Sequence, residues 1–308
     1  MCGGMGAGRR LSSSGNLVKM PSVIQRCRTK LAESPFLWRW GRNFDRALKQ
    51  AMDSRDSKST HEFVSLLRGD GIVATRAEDL LDDGGLRCLK EVIEEVRLLL
   101  PRSHHAARSR KNNERKDYLI SLLPAEFDLE SPFVRLAIHP AILLVANQYL
   151  GLRSSLRAIN VWVNRPNSEL PKESQLWHRD GDDRMILKVF VYLVDVDMGN
   201  GPFWFIPGTH QQRCVSSDSS AEPPRIEDQV MRAWIGESRW KAFTGSTGTI
   251  IFADTTGLHK GGKCDERARV LLTFEYVSGA SPYPREFTLR TATGLSQLDP
   301  PQVYALVS

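Results

Sequence analysis

The sequence predicts an α+β protein, in which helices come first and a strand-rich region then forms a sandwich or barrel with those helices packed against it. Three observations predict this. Apolar spacing is helical as far as Leu150. From Leu156 onward it becomes strand-like, with β-branched and aromatic residues between Gly, Pro, Asn and Asp punctuation. The 308 residues, 41% hydrophobic and 25% charged, have an ordinary globular composition. That excludes disorder throughout and supplies enough chain for a core without staples.

Residues 1–34 read as a disordered basic tail. Four early glycines, Arg9-Arg10 and Ser12 to Ser14 precede scattered basic residues, and no acid appears before Glu33. Residues 1–50 carry ten Lys and Arg against two acids, whereas the remaining 258 carry 32 against 34. The excess positive charge therefore belongs to the N-terminal segment, and a near-neutral body gives no reason to expect a nucleic-acid or membrane partner. The tail lacks the apolar stretch of a secretory signal; its Arg-rich, Ser-bearing composition leaves an organelle transit peptide as the alternative to a plain tail.

Residues 35–300 read as one domain. Helical faces are expected over 36–68, with polar residues 53–60 breaking the stretch. Gly69-Asp70-Gly71 is a turn and Ile72-Val73-Ala74 a short strand. Leu86 to Leu100 is an amphipathic helix that Pro101 is expected to close. Arg102 to Asp117, with six basic residues and two acids, is either a solvated loop or a flap that attracts an anionic substrate. A further helix covers Pro140 to Leu150 and stops at Gly151. Strands are expected at Leu156–Asn164, Leu176–Arg179, Ile186–Val194, Phe203–Ile206, Gly248–Phe252 and Arg269–Val277. An insertion from Gln211 to Phe243 holds a helix near Glu227–Ile235. The longest apolar run, Leu187 to Val194, contains Lys188 and is too short to span a membrane. Five cysteines without a CxxC pair argue against a zinc ribbon or disulfide scaffold. Their odd number suits a reducing compartment, so a cytoplasmic location is expected.

Two of the seven histidines sit in a ligand context. In Trp177-His178-Arg179-Asp180 the alternation of a strand places His178 and Asp180 on one face. The other is His259, in Leu258-His259-Lys260-Gly261-Gly262. Two imidazoles and a carboxylate on one face of a metal make the facial triad of non-haem Fe(II) oxygenases. His210, in Pro207-Gly208-Thr209-His210, reads as a turn residue, and the His104-His105 pair as surface. There is no GxSxG elbow, no phosphate-binding GxxxxGK loop and no HExxH.

The stretches WHRDGDDRMILKVFVYLVDVD, NGPFWFIPGTH and LHKGGKCDERARVLLTFEYV resemble those of the phytanoyl-CoA dioxygenase-like Fe(II)/2-oxoglutarate oxygenases. The resemblance covers roughly residues 62–280 and is densest over 176–277. It implies a double-stranded β-helix, or jelly roll, with the N-terminal helices packed on one sheet. It implies Fe(II) held by His178, Asp180 and His259, with Arg269 anchoring 2-oxoglutarate. Such an enzyme converts 2-oxoglutarate and O2 to succinate and CO2 and hydroxylates a C–H bond, here of a small molecule. Chlorination would require a small residue in place of Asp180, so hydroxylation or a related desaturation is expected. Arg267 rivals Arg269 as the anchor; Arg269 is preferred because it abuts the apolar run Val270 to Phe274. Lys188, inside an apolar strand, either assists the 2-oxoglutarate carboxylate or faces outward. Asn160 and Trp162 share a face and either line the cofactor pocket or pack in the core. Two other readings differ in class: a non-catalytic jelly roll that only binds, and an oxygenase of nucleic acid or protein that docks through the basic tail. The primary substrate and the oligomeric state are not written in these motifs.

Overall fold

A computed structural model of the chain describes residues 58–106, 118–211 and 225–308. The expected basic tail, the helical faces expected over 36–57, residues 107–117 of the 102–117 stretch and residues 212–224 of the 211–243 insertion lie outside the described residues.

Helix α1 (Lys58–Asp70) leads into strand β1 (Ile72–Arg76), the short helix α2 (Ala77–Leu80) and the long helix α3 (Asp83–Ala106). Short strands β2 (Leu119–Ser121) and β3 (Glu126–Phe127) precede helices α4 (Pro132–Ala137) and α5 (Pro140–Leu150). Then come β4 (Ser155–Asn164), β5 (Leu187–Tyr192), β6 (Phe203–Phe205), helix α6 (Asp228–Ile235), β7 (Lys241–Phe243), β8 (Thr249–Asp254), β9 (His259–Gly261) and β10 (Arg269–Val277). A final strand β11 (Thr288–Leu289) and helix α7 (Pro300–Val307) close the chain.

Six strands form one antiparallel sheet in the order β1-β8-β5-β10-β4-β2, and three form a second in the order β7-β6-β9. The chain crosses from one sheet to the other as it winds from β4 to β10. Strict alternation sorts the side chains. Leu187, Val189 and Val191 of β5 point into the core shared with the helices, while Phe190 and Tyr192 point at the second sheet. There Phe190 meets Phe203 with ring centroids 4.4 Å apart. The larger sheet thus has two buried faces, and its strands read as continuous apolar runs. Arg269, Leu271, Thr273 and Glu275 of β10 face the second sheet, because Val270, Leu272, Phe274 and Tyr276 belong to the helix-covered core.

Several expected boundaries move. Helix α1 takes in Lys58, inside the polar stretch expected to break the helical run. Helix α3 runs past Pro101 to Ala106; a proline removes only its own N–H, so the following residues can still continue the ladder. Leu176–Arg179 is not a full strand. It makes two isolated bridges, Trp177 to Ile226 and His178 to His259. Gly151 caps α5 as expected, with φ at 70° in the left-handed region. Among the described residues no helix is long and apolar enough to cross a membrane.

Candidate active site

The backbones of His178 and His259 exchange both hydrogen bonds, N to O at 2.9 and 3.0 Å. This bridge sets their side chains next to each other on the inner face of the second sheet, with ring centroids 4.2 Å apart. Asp180, two residues after His178, joins them: its carboxylate oxygens lie 3.8 Å from His178 Nε2 and 3.6 Å from His259 Nε2. One ligand atom from each of the three lies within 4.8 Å of the others, and no other group of His, Cys, Asp or Glu among the described residues does this.

Each imidazole is oriented by its own chain. His178 Nδ1 lies 2.8 Å from the Leu176 carbonyl and His259 Nδ1 lies 2.9 Å from that of Gly257. A carbonyl only accepts, so both Nδ1 atoms carry the proton and both Nε2 lone pairs face the centre. Burial pushes the pKa of both rings down, and at His178 the neighbouring His259 adds to the effect. Both are therefore neutral at neutral pH, the form in which imidazole binds a metal. Burial alone would raise the Asp180 pKa. The Lys188 ammonium beside it instead holds it well below the ordinary carboxylate range. Two neutral imidazoles and one carboxylate, joined by no fourth His, Cys, Asp or Glu among the described residues, fit a metal of the iron type.

A buried guanidinium lies beside this centre. Arg269 is 3% exposed, and its Nε and Nη1 have no hydrogen-bond partner. Gly261, two residues beyond His259 on β9, makes room for it: a Cβ there would stand 2.9 Å from Arg269 Nη2. A buried guanidinium with unpartnered donors is suited to receive a carboxylate. The rival Arg267 is exposed and already paired with Asp197.

The profile of the phytanoyl-CoA dioxygenase (PhyH) family matches residues 67–265. The chain belongs to this family. No curated protein sequence matches it. Its fold is similar to that of the epimerase SnoN, solved in complex with Fe3+, alpha ketoglutarate and nogalamycin RO, at a TM-score of 0.52 and 20% identity over 72% of this chain and 85% of that one. It is also similar to the non-heme alpha ketoglutarate dependent carbocyclase SnoK, at a TM-score of 0.51 and 17% identity over 80% of this chain and 92% of that one.

Other candidates in this PhyH-family chain have different surroundings. Lys188 points inward, with Nζ 2.8 Å from Asp180 Oδ2 and 3.2 Å from Glu275 Oε2. Burial would lower its pKa, but the carboxylates of Asp180, Glu275 and Asp182 hold it well above the ordinary lysine value. Asn160 and Trp162 lie half-buried on β4 and face the second sheet, opposite the side of Ile159, Val161 and Val163 in the helix-covered core. His210 is removed from the triad: its Nε2 donates to the Arg68 carbonyl at 3.0 Å, beneath Gly71.

Sequence reasoning missed Arg157. It sits on β4 and binds three carboxylates, Glu275 and Glu286 at 2.7 Å and Asp182 at 2.8 Å. Since Glu275 also holds Lys188, an unbroken ionic chain runs from Arg157 to Asp180. Only the register could have revealed it, because Glu275 stands opposite Lys188 across the β5–β10 pair.

Proposed function

We propose that this chain is an Fe(II)- and 2-oxoglutarate-dependent dioxygenase that hydroxylates a C–H bond of a small molecule. The observation that carries the reading is the buried, unpartnered Arg269 guanidinium beside a two-histidine, one-carboxylate centre. His178, Asp180 and His259 would hold the metal through Nε2, a carboxylate oxygen and Nε2. Arg269 would hold the distal carboxylate of 2-oxoglutarate and point its 2-oxo acid end at the metal. When bound, the iron and co-substrate supply oxidative decarboxylation: one oxygen atom of O2 ends in succinate, with CO2 released, and the other in the hydroxylated product.

The protein's own residues do the rest. The Leu176 and Gly257 carbonyls keep the two imidazoles in the ligating tautomer. Lys188 holds one Asp180 oxygen and so orients the carboxylate. The apolar floor of Phe190, Tyr192, Phe203 and Leu271 closes the barrel behind the site and keeps bulk water from that side. Alternative products are to be scored too, since fold neighbours of this chain include an epimerase and a carbocyclase.

The test is an anaerobic titration of the full chain with Fe(II) and then 2-oxoglutarate. A visible metal-to-ligand charge-transfer band is expected in the wild type and not in Asp180→Ala. A metabolite library is then screened for succinate release, and isotopic O2 is traced into the product. A band that persists in Asp180→Ala refutes the ligand set, and turnover without 2-oxoglutarate refutes the reaction class.

A further inference from the structure

The two metal-binding histidines each have a neighbour on the opposite face of the sheet. Alternation turns Trp177 and Lys260 outward wherever His178 and His259 turn inward. Lys260 is 8% exposed, unusual for a lysine. Its ammonium lies 5.0 Å from the ring centroid of Trp177 and 5.6 Å from those of Trp204 and Trp240. Both carboxylate oxygens of Asp228 accept from it, at 2.5 and 2.6 Å. Asp228 also accepts from Trp177 Nε1 at 2.8 Å. The cage is thus a cation surrounded by three π faces and closed by one carboxylate.

Its members come from every segment that carries or flanks the ligands. Trp177 precedes His178. Lys260 follows His259 on β9, and Trp204 stands directly opposite Lys260 in β6. Asp228 begins helix α6 of the insertion, and Ile226, two residues before it, exchanges both backbone hydrogen bonds with Trp177. An aliphatic side chain would fill this volume without the desolvation of an ammonium. What a cation adds is direction: it must sit where the rings and the carboxylate converge, so it fixes the register of three backbone segments.

We propose that Lys260 is a positioning residue, which sets the spacing and tilt of the His178 and His259 imidazoles from the outer face of the sheet and ties the insertion helix α6 to the metal centre. The proposal rests on the reading of His178, Asp180 and His259 as metal ligands.

The experiment titrates Co(II) into the full-length wild type, Lys260→Met and Lys260→Arg, with metal affinity and the d–d absorption spectrum as readouts. A residue that only stabilised the fold would lower the melting temperature but leave the spectrum of the folded protein unchanged. Lys260→Met is expected to weaken Co(II) by ~10-fold, the scale of groups that orient ligands, and to change the d–d band. Lys260→Arg is expected to restore most of both. Lys260→Ala is expected to recover in n-propylammonium chloride but not in sodium chloride of equal strength. If Lys260→Met does not fold, Asp228→Asn carries the same test, since it keeps the size and the acceptor for Trp177 while removing the charge. Wild-type affinity and spectrum in the folded variant overturn the proposal. Failure of the wild type itself to bind Co(II) overturns the reading of the ligands instead, so the two failures are distinguishable.

Discussion

Arg157 and Arg269 stand on neighbouring antiparallel strands, β4 and β10, are both almost entirely buried, and have opposite surroundings. Arg157 is saturated by Glu275, Glu286 and Asp182. Burial would lower its pKa, and these three carboxylates raise it instead. Among the described residues Arg269 has no carboxylate partner, and two of its nitrogens are unpaired. Burying a charge is costly unless it is paired, so a guanidinium left without a partner inside a fold marks a place where a ligand supplies the missing anion. The first arginine is part of the scaffold, and in the proposed function the second receives the co-substrate carboxylate.

The largest expected effect would break the first half of this contrast. Arg157→Met strips the buried Glu275 of one of its two cations, leaving it Lys188 alone, and removes the ion-pair partner of the half-buried Asp182, which costs ~3–5 kcal/mol of stability. A drop in Tm of roughly 10 °C is expected by calorimetry, for the metal-free and the metal-loaded chain alike. Next, Arg269→Met removes a charge that has no protein partner. Its Tm is expected to match or exceed that of the wild type, whereas 2-oxoglutarate binding to the Mn(II)-loaded chain weakens by ~2–5 kcal/mol, on the order of 30- to 4,000-fold. Equal losses of Tm in the two variants, with 2-oxoglutarate binding intact, would erase the distinction. Gly261→Ala sharpens it: the new methyl displaces the Arg269 guanidinium without touching Arg157, and a weakening of 2-oxoglutarate by about tenfold, ~1.4 kcal/mol, is expected with the fold retained. The smallest effect belongs to Arg267→Ala. It removes one exposed ion pair with Asp197, and stability and 2-oxoglutarate affinity are expected to change by less than about 0.5 kcal/mol.

The contrast also marks how far the sequence could be read. His178, Asp180 and His259 were legible because same-face spacing and a distal histidine are local patterns. That Arg269 is buried and Arg267 exposed was legible because an apolar run begins directly after Arg269, and a residue that opens a fully buried strand is itself buried. The partner of Lys188 was not legible. It depends on which residue of β10 stands opposite in the register, and pairing across the sheet leaves no trace in local spacing. Arg157 was hidden for a further reason: the β4–β10 ladder shifts register between Glu275 and Tyr276, so simple alternation misplaces it. The tryptophans around Lys260 come from three separate stretches and look in sequence like ordinary core residues. Strand β9 is three residues long, too short to show a period. The helical turn beyond Pro101 ran against a rule about proline that is a tendency only.

The position of β10 within its sheet has a consequence for how the molecule is made. It lies between β5 and β4, and it is the last of the six strands to leave the ribosome. Until it arrives, β4 and β5 have no common neighbour; the Arg157–Glu275 contact alone joins residues 118 apart in sequence. A nascent chain stalled before Arg269 therefore holds both histidines and the aspartate but no closed sheet to carry them. Such contacts are slow to form, and a half-wound intermediate leaves strand edges open to other chains. The strand that carries Arg269 is thus also the one that completes the sheet, and the arginine joins the two histidines and the aspartate only once that strand is in place.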